Sequence, residues 1–202
     1  MIIFNSTDHP ILVRIGGKEF AVAANRYVEE DVESGVYPLF VCKQSASGKP
    51  MTFRRENSED WGRFARNGIV SLAAEGEVEI QRDTKLHIEA HRQKSRLYGY
   101  GKQTTYLELL DCTADNGTLC QLRSVFVTSS QRRRLVNSLV LMLGVIVFFH
   151  AMITLVPLAA WNDPEAWLYV AIFQILFVFE EWQSIRALRT LKKYSVAENK
   201  NN

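Results

Sequence analysis

Residues 135–161 read LVNSLVLMLGVIVFFHAMITLVPLAAW, a run of 27 residues without a single Asp, Glu, Lys or Arg. A helix that crosses a bilayer needs about 20 mostly apolar residues, because each residue advances about 1.5 Å across roughly 30 Å of hydrocarbon. Core helices of soluble proteins are rarely both this long and this free of charge. The run therefore predicts a membrane-spanning helix.

A second apolar run predicts a second span that returns through the bilayer. Its uncharged part, 166–179, is shorter, but the helical pattern continues without Pro or Gly to Arg186, where a basic cluster begins. The connector 161–167 is long enough only for a turn. The expected parts of the chain are a soluble domain at 1–130, a two-helix transmembrane hairpin at 131–194 and a disordered polar tail at 195–202.

Positive charge at both ends of this hairpin sets its expected orientation. The connector between the spans has no Lys or Arg, only Asp163 and Glu165. Because Lys and Arg accumulate in cytoplasmic loops and Trp at membrane interfaces, we expect a two-pass plasma-membrane protein of the bacterial inner-membrane type, with both termini cytoplasmic. The residues expected to anchor it at the interfaces are Arg132, Arg133, Arg134, Trp161, Trp167, Trp182, Arg186 and Arg189.

The distribution of charge also bears on partners. Residues 1–130 carry 16 Lys and Arg against 17 Asp and Glu, whereas residues 131–202 carry 8 against 5. The soluble part is close to neutral, so nucleic acid is not an expected partner. The surplus positive charge lies beside the predicted spans, where it can meet anionic lipid head groups.

The first 128 residues contain short alternating segments separated by turn residues, a pattern typical of β-strands. In the clearest case, Ile11–Ile15 and Lys18–Val22 flank Gly16 and Gly17. A Gly-Gly pair can take the positive φ angles of a tight hairpin. Its register places three pairs on one face, Ile15 with Lys18, Val13 with Phe20 and Ile11 with Val22, and Arg14 with Glu19 on the other.

A second hairpin is predicted from 105–113 and 119–128 around Asp115-Asn116-Gly117. It would pair Cys112 with Cys120, Leu110 with Leu122 and Tyr106 with Phe126. Further predicted strands are 26–32, 36–42, 69–73, 77–82 and 85–91, with a short helix from residue 57 or 58 to 66. About nine short strands favour a β-sandwich-like domain.

Within this domain, residues 11–42 resemble PEGA-type modules, which are small β-sandwiches often attached to membrane anchors. The likeness rests on Leu12-Val13-Arg14-Ile15-Gly16-Gly17-Lys18, and on Gly35 followed by the alternating strand Val36-Tyr37-Pro38-Leu39-Phe40-Val41. The Pro-Glu-Gly-Ala signature of those modules is absent. The resemblance implies a binding or structural module and not an enzyme.

Few residues suggest chemistry. No two of Cys42, Cys112 and Cys120 form a Cys-x-x-Cys pair, and a cytoplasmic location would keep them reduced. His87, Glu89 and His91 would share one solvated face of a strand. We find no catalytic arrangement and expect no cofactor and no metal.

His150 is the exception, because it lies near the middle of the first span. An ionisable group at that depth is energetically costly and normally faces protein or water. Counting inward from Trp167 brings Gln174, Glu180 and Glu181 to either side of the same depth, so a contact from His150 to Gln174 or to Glu181 is feasible. His150 is then either part of a plain interhelix hydrogen bond, part of a proton or ion relay, or a buried polar contact to another membrane subunit.

These features favour a non-enzymatic, membrane-anchored interaction protein, whose β-domain recognises a cytoplasmic partner and whose hairpin anchors it or joins a larger membrane complex. The alternative is a homo-oligomeric transport- or immunity-type membrane protein that uses His150. Beyond the second span, Trp182, Ile185, Leu188 and Leu191 form an apolar stripe. This stripe can pack on the β-domain, lie on the inner leaflet or bind a partner.

Overall fold

The computed structural model describes residues 1–57, 66–95, 105–115, 120–159 and 164–197. Its strands are β1 (Ile2–Asn5), β2 (Ile11–Ile15), β3 (Lys18–Val22), β4 (Arg26–Glu29), β5 (Gly35–Lys43), β6 (Phe53–Asn57), β7 (Arg66–Ser71), β8 (Ala73–Ile80), β9 (Lys85–Ser95), β10 (Thr105–Ala114), β11 (Cys120–Phe126) and β12 (Ser195–Val196). Its helices are α1 (Ser129–Ala159) and α2 (Pro164–Lys192). A mainly β domain followed by two long apolar helices is therefore confirmed, although β1, β6 and β12 were not predicted.

The strands form two mixed sheets of six strands each. Sheet A has the order β4-β1-β9-β10-β7-β6, and sheet B has the order β12-β11-β8-β5-β2-β3. The sheets share one apolar core. Sheet A contributes Ile3, Leu86, Ile88 and Leu110 to it, and sheet B contributes Ile11, Val13, Val41 and Val78.

The hairpin at Gly16 and Gly17 is confirmed with its predicted register, including Val13 opposite Phe20. Both glycines have positive φ angles, 55° and 89°, a conformation that other residues adopt only with strain. A Cβ on Gly16 would also lie 2.7 Å from Cδ1 of Tyr37. The turn therefore needs glycine for both its backbone conformation and its packing.

The second predicted hairpin is wrong, because β10 and β11 belong to different sheets. Strand β10 pairs with β9 and β7, so Cys112 lies opposite Ile88. Strand β11 pairs with β8, so Cys120 lies opposite Val78. Alternation on both sides of a turn is the same for a hairpin and for a crossing between sheets, and only distant partners decide between them.

Strands β8 and β11 approach each other closely at Gly76. A Cβ on Gly76 would lie 1.8 Å from the backbone oxygen of Gln121, so the two backbones approach closely at this point. The predicted strand 69–73 is also divided, because the chain changes sheets at Leu72, between β7 and β8. The predicted short helix is wrong at its ends, where Asn57 and Arg66 pair as strand residues, and its middle, 58–65, lies outside the described residues.

The helices do not simply follow the β-domain, because both pack into it. Leu139 of α1 and Ala187 and Leu191 of α2 are buried against Val70, Leu72, Leu107 and Phe126 of the sheets. We call this shared apolar cluster the seam. Of the apolar stripe Trp182, Ile185, Leu188 and Leu191, the last two pack on the β-domain, whereas Trp182 and Ile185 are exposed.

Two sets of hydrogen bonds also connect the helical segments to the sheets. Gln131, in the first turn of α1, donates from Nε2 to the backbone oxygens of Thr52 (2.7 Å) and Ser71 (3.0 Å) and accepts from the backbone N–H of Val127 (3.1 Å). After α2, Ser195 and Val196 form β12, which runs parallel to β11. A disordered tail from residue 195 is thus wrong for these two residues, while 198–202 lie outside the described residues.

Gly76→Ala is expected to destabilise the protein by about 2–3 kcal/mol, because the added methyl group overlaps the backbone of β11 and neither strand can retreat without losing core contacts. The matched control is Gly144→Ala in α1, where a Cβ meets no atom within 4 Å. Thermal unfolding in detergent compares the two variants with the original chain. Equal unfolding temperatures for all three would contradict the close approach of β8 and β11.

Candidate functional sites

The outer surfaces of α1 and α2 are apolar and uncovered. Only 6% of the most apolar stretch of α1 and 11% of that of α2 is buried, whereas a core helix of a soluble protein is mostly buried. Exposed large side chains include Leu141, Phe148, Phe149 and Leu155 in α1, and Leu168, Phe173, Ile175 and Phe179 in α2. Both helices are long and apolar enough to cross a membrane.

This exposed surface begins where the seam ends. Leu139 is buried and Val140 is exposed, so α1 extends about 20 residues beyond the seam, roughly 30 Å of helix. In α2 the corresponding change falls between Trp182, which is exposed, and Gln183, which is buried. His150 lies near the middle of the part of α1 that extends beyond the seam, and Gln174 lies near the middle of the corresponding part of α2.

Between the helices lies a group of hydrogen-bonded polar residues, His150, Thr154, Gln174 and Glu181, which we call the hairpin cluster. Nδ1 of His150 lies 2.6 Å from Oε1 of Glu181, and its Nε2 contacts Oε1 of Gln174. Nε2 of Gln174 donates to Oγ1 of Thr154 at 2.6 Å, and that hydroxyl donates to the backbone oxygen of His150 at 2.8 Å. The imidazole also stacks on Phe177. His150 therefore contacts both Gln174 and Glu181.

The hydrogen bonds determine how many protons this cluster holds. The Thr154 hydroxyl donates its proton to the backbone oxygen of His150, so it accepts a hydrogen bond from the amide nitrogen of Gln174. The amide oxygen of Gln174 therefore faces Nε2 of His150. Nε2 therefore carries a proton, and a second proton lies between Nδ1 and the Glu181 carboxylate. The His150–Glu181 pair is then neutral overall, which is the least costly charge state for ionisable groups in hydrocarbon.

Glu180, the other carboxylate expected at this depth, is half-buried and takes no part in these hydrogen bonds. These hydrogen bonds connect α1 to α2 and occupy both ring nitrogens of His150.

A second group of charged residues, not predicted from the sequence, lies between the sheets. It comprises Asp8, Lys43, Arg54, Arg92 and Glu108, and we call it the sheet cluster. Nζ of Lys43, which is completely buried, lies 2.6 Å from Oδ1 of Asp8 and 3.0 Å from Oε1 of Glu108. Arg54 binds both carboxylates at 3.1 Å, and Arg92 lies 3.6 Å from each.

Additional groups complete this network. Ser71 donates its hydroxyl to Oε2 of the buried Glu108 at 3.0 Å, and Arg54 donates to Nε2 of His9. Lys43 comes from sheet B, whereas Arg54, Arg92 and Glu108 come from sheet A, and Asp8 lies in the loop that joins them. The cluster therefore ties the two sheets together at one end of the core.

Asp8 is the most exposed member, and its ionisation is strongly biased. Burial by itself raises the pKa of the Asp8 carboxyl, but the hydrogen bond and charge of Lys43, followed by those of Arg54, outweigh this effect and hold the pKa well below its ordinary value. Asp8 thus stays ionised, as the pairing of the buried Lys43 requires.

The alternation of core-facing and outward-facing residues in two strands could have indicated this cluster from the sequence. Lys43 follows Leu39 and Val41 on the core-facing side of β5, and Glu108 precedes Leu110 and Cys112 on the core-facing side of β10. A charged residue at a position that alternation assigns to the core needs a buried partner. Which residues are the partners depends on the sheet order, and this order was not predicted.

The predicted interface anchors occupy the two ends of the helices. Arg133 and Arg134 near the start of α1 and Arg186 and Arg189 near the end of α2 are exposed, while Arg132 is half-buried. Trp182 is exposed, and the Arg186 guanidinium lies over its ring, 5.4 Å from the ring centroid. Trp167 is exposed at the start of α2, and Trp161 lies outside the described residues.

His87, Glu89 and His91 lie on the outer side of β9, as the alternation predicted. His87 lies 3.1 Å from Asp115, and His91 lies 3.4 Å from Asp111. Within the described ranges, no three His, Cys, Asp or Glu side chains converge as metal ligands do.

The outer face of sheet B carries a groove of about 920 Å³. Its floor includes Leu12, Phe40 and Val127, which are half-exposed, and the buried Cys42. Two surface ion pairs border it, Arg14 with Glu19 and Arg123 with Glu75. The groove extends to Ser129, the first residue of α1.

Comparison of the chain with protein-family models, with curated proteins and with solved structures returned no match. The likeness of residues 11–42 to PEGA-type modules thus remains a prediction. Their strands divide between the sheets, with β2, β3 and β5 in sheet B and β4 in sheet A.

Asp8→Asn is expected to remove a pH-dependent part of the stability. The pKa of Asp8 is lower in the folded chain than the ordinary value of 3.8, so its contribution is complete above that value and is lost as the pH falls below it. The contribution should be roughly 1 kcal/mol, because Asp8 is half-exposed. Urea unfolding from pH 3 to pH 7 measures it. The control is Asp83→Asn in a surface turn, and a difference from the original chain that does not change with pH would contradict this role.

His150→Leu and Glu181→Leu should each destabilise the pair of helices by about 1–2 kcal/mol, because each leaves an ionisable partner unpaired in an apolar environment. The double variant leaves neither group unpaired and should lose less than the sum of the two single changes. Reversible unfolding in bicelles measures the coupling. Additive losses would show that the two residues act independently.

Proposed function

We propose that the chain is a two-pass membrane protein whose β-domain recognises a protein partner at the cytoplasmic face of the membrane. The observation that supports this proposal most is the seam. The helices and the sheets bury Leu139, Leu191 and Phe126 in one cluster, so an inserted hairpin would hold the β-domain in a fixed orientation against the head groups. Such a fixed orientation suits recognition of a partner that is itself bound to the membrane.

The direction of insertion follows from the charges. The exposed Arg133 and Arg134 on α1 and Arg186, Arg189, Lys192 and Lys193 on α2 make no ion pair with an acid in the described part of the chain. Anionic head groups can neutralise them, and the positive-inside rule places them in the cytoplasm. The sheets lie at this same end, so the β-domain and both termini are cytoplasmic in this proposal.

A partner-binding surface is proposed for the groove on sheet B. Its apolar floor and charged border resemble the core and rim of a protein interface. A protein partner with an apolar side chain directed at Phe40 fits this surface better than a small polar substrate does.

The topology has a direct test. A reporter enzyme that is active only outside the cytoplasm should be inactive when fused after Asn202, and active when inserted between the helices at residue 163. The opposite result would place the β-domain outside the cytoplasm and overturn the proposed location of the partner.

Recognition can be tested by photo-crosslinking the full chain in its native membrane. A photoreactive amino acid at Phe40 should give one discrete adduct, and Leu12→Glu should abolish it, because the added charge lies in the apolar floor. The control is the same photoreactive group at His91, which is exposed on sheet A. Adducts from both positions, or from neither, would argue against the groove.

A homo-oligomeric transport-type protein is the second candidate, and the hairpin cluster is the observation that favours it. Proton flux through proteoliposomes that disappears with His150→Leu, together with a stable oligomer in detergent, would support this function. A monodisperse monomer without flux would remove it.

A further inference from the structure

The outer face of sheet B carries a row of apolar side chains beside a row of carboxylates. The apolar row lies on β5 and consists of Val36, Pro38 and Phe40. The acidic row lies on β8, where the residues directly opposite these three are Glu79, Glu77 and Glu75. Side chains opposite each other on antiparallel strands have Cβ atoms about 5 Å apart, so each apolar side chain lies next to a carboxylate.

Both rows border the groove that is proposed above as the partner surface. Pro38, Phe40, Glu75 and Glu77 line this groove. Val36 extends the apolar row beyond it and is 66% exposed. A partner side chain that covers Phe40 therefore lies close to a carboxylate of the chain.

The acidic row is only partly neutralised by cations of the chain. Arg123 pairs with Glu75 at 2.7 Å. Glu79 accepts a hydrogen bond from the amide of Gln81 at 3.1 Å, but neither Glu79 nor Glu77 forms an ion pair with any cation in the described part of the chain. Two negative charges beside an exposed apolar surface are thus left for a cation from another molecule.

The acidic row extends away from the basic ends of the helices. Strand β11 runs towards Ser129, the first residue of α1, and it passes Glu77 before Glu75. The exposed cations of the helix ends, such as Arg133 and Arg189, therefore lie beyond the end of the row that is already paired. A basic segment can approach the other end without meeting them, and anionic head groups attract basic segments to the same membrane surface.

We propose, on the basis of the partner surface assigned above, that the partner presents a segment in which apolar side chains are flanked by Lys or Arg. Its apolar side chains cover Pro38 and Phe40, and its cations pair with Glu77 and Glu79. Exposed pairs of this kind act on specificity and on the association rate more than on affinity. The groove therefore selects a basic segment over an acidic one that has the same apolar residues.

The test uses the full chain in nanodiscs of phosphatidylcholine, whose head group carries no net charge. The probes are three short fluorescent peptides with leucine at the same positions and with lysine, serine or glutamate at all the others. Fluorescence anisotropy should show that the lysine peptide binds about tenfold more tightly than the glutamate peptide, because each exposed ion pair changes affinity roughly two- to fivefold. Empty nanodiscs measure the binding of each peptide to lipid alone.

Glu77→Lys combined with Glu79→Lys should reverse this preference, so that the glutamate peptide binds more tightly than the lysine peptide. The matched control combines Glu29→Lys with Glu89→Lys, two exposed positions on sheet A with the same change in net charge, and it should keep the preference. In the original chain the preference should shrink when the salt concentration rises from about 0.1 M to about 1 M, because the screening length falls from about 10 Å to about 3 Å.

Equal binding of the lysine and glutamate peptides to the original chain would overturn the proposal, as would an equal loss of preference in the control variant. The photo-crosslinking experiment described above separates this outcome from a failure of the proposed function. An adduct at Phe40 that persists in the chain with Glu77→Lys and Glu79→Lys would keep the groove and overturn the basic partner. The absence of any adduct at Phe40 in the original chain would overturn the groove itself and this inference with it.

Discussion

The apolar contact of the sheets with the start of α1 and the end of α2 determines how the molecule is organised. Leu139 and Leu191 complete a cluster that the sheets leave open around Phe126. Complete burial of one such leucine contributes about 1.5–3 kcal/mol, and Gln131 adds hydrogen bonds to the backbone of Ser71 in sheet A and of Thr52 and Val127 next to the strands. The β-domain is therefore incomplete without the first turns of α1 and the last turns of α2. Because the sheets and the helices share this cluster, the helices are packed against the β-domain, whereas a tethered module would be joined to its helices only by a linker.

The parts of the fold that could be predicted are those specified by neighbouring residues. Gly16 and Gly17 fix the hairpin between β2 and β3 because the turn and the alternation lie within one short segment. The helices follow from composition alone. The crossing between β10 and β11 could not be predicted, because a hairpin and a change of sheet have the same local pattern. Gly76, which allows the backbones of β8 and β11 to approach closely, lies on a strand distant from this segment.

The two polar clusters differ in the same way. His150 is visible in the sequence because it is an ionisable residue within an apolar run, and helical geometry restricts its partners to residues at the same depth. Lys43 and Glu108 are visible only as charges at positions that alternation assigns to the core. Asp8 and Arg54 join them through the order of strands in two sheets, and long-range order of that kind is not specified by any local segment.

The clusters also balance charge differently, and their surroundings explain why. The sheet cluster joins three cations to two carboxylates, and its remaining positive charge is tolerable because Asp8 and Arg92 reach solvent. If the helices cross a bilayer as proposed, the hairpin cluster has no such outlet, and a neutral His150–Glu181 pair is the least costly charge state there. Its hydrogen bonds add only about 0.6 kcal/mol each on average, but a shift of one helix along the other would separate His150 from Gln174 and Glu181 together. The cluster therefore contributes more to the register of α1 and α2 than to their affinity. Because α2 continues through the seam into β12, that register also sets where the last strand meets sheet B.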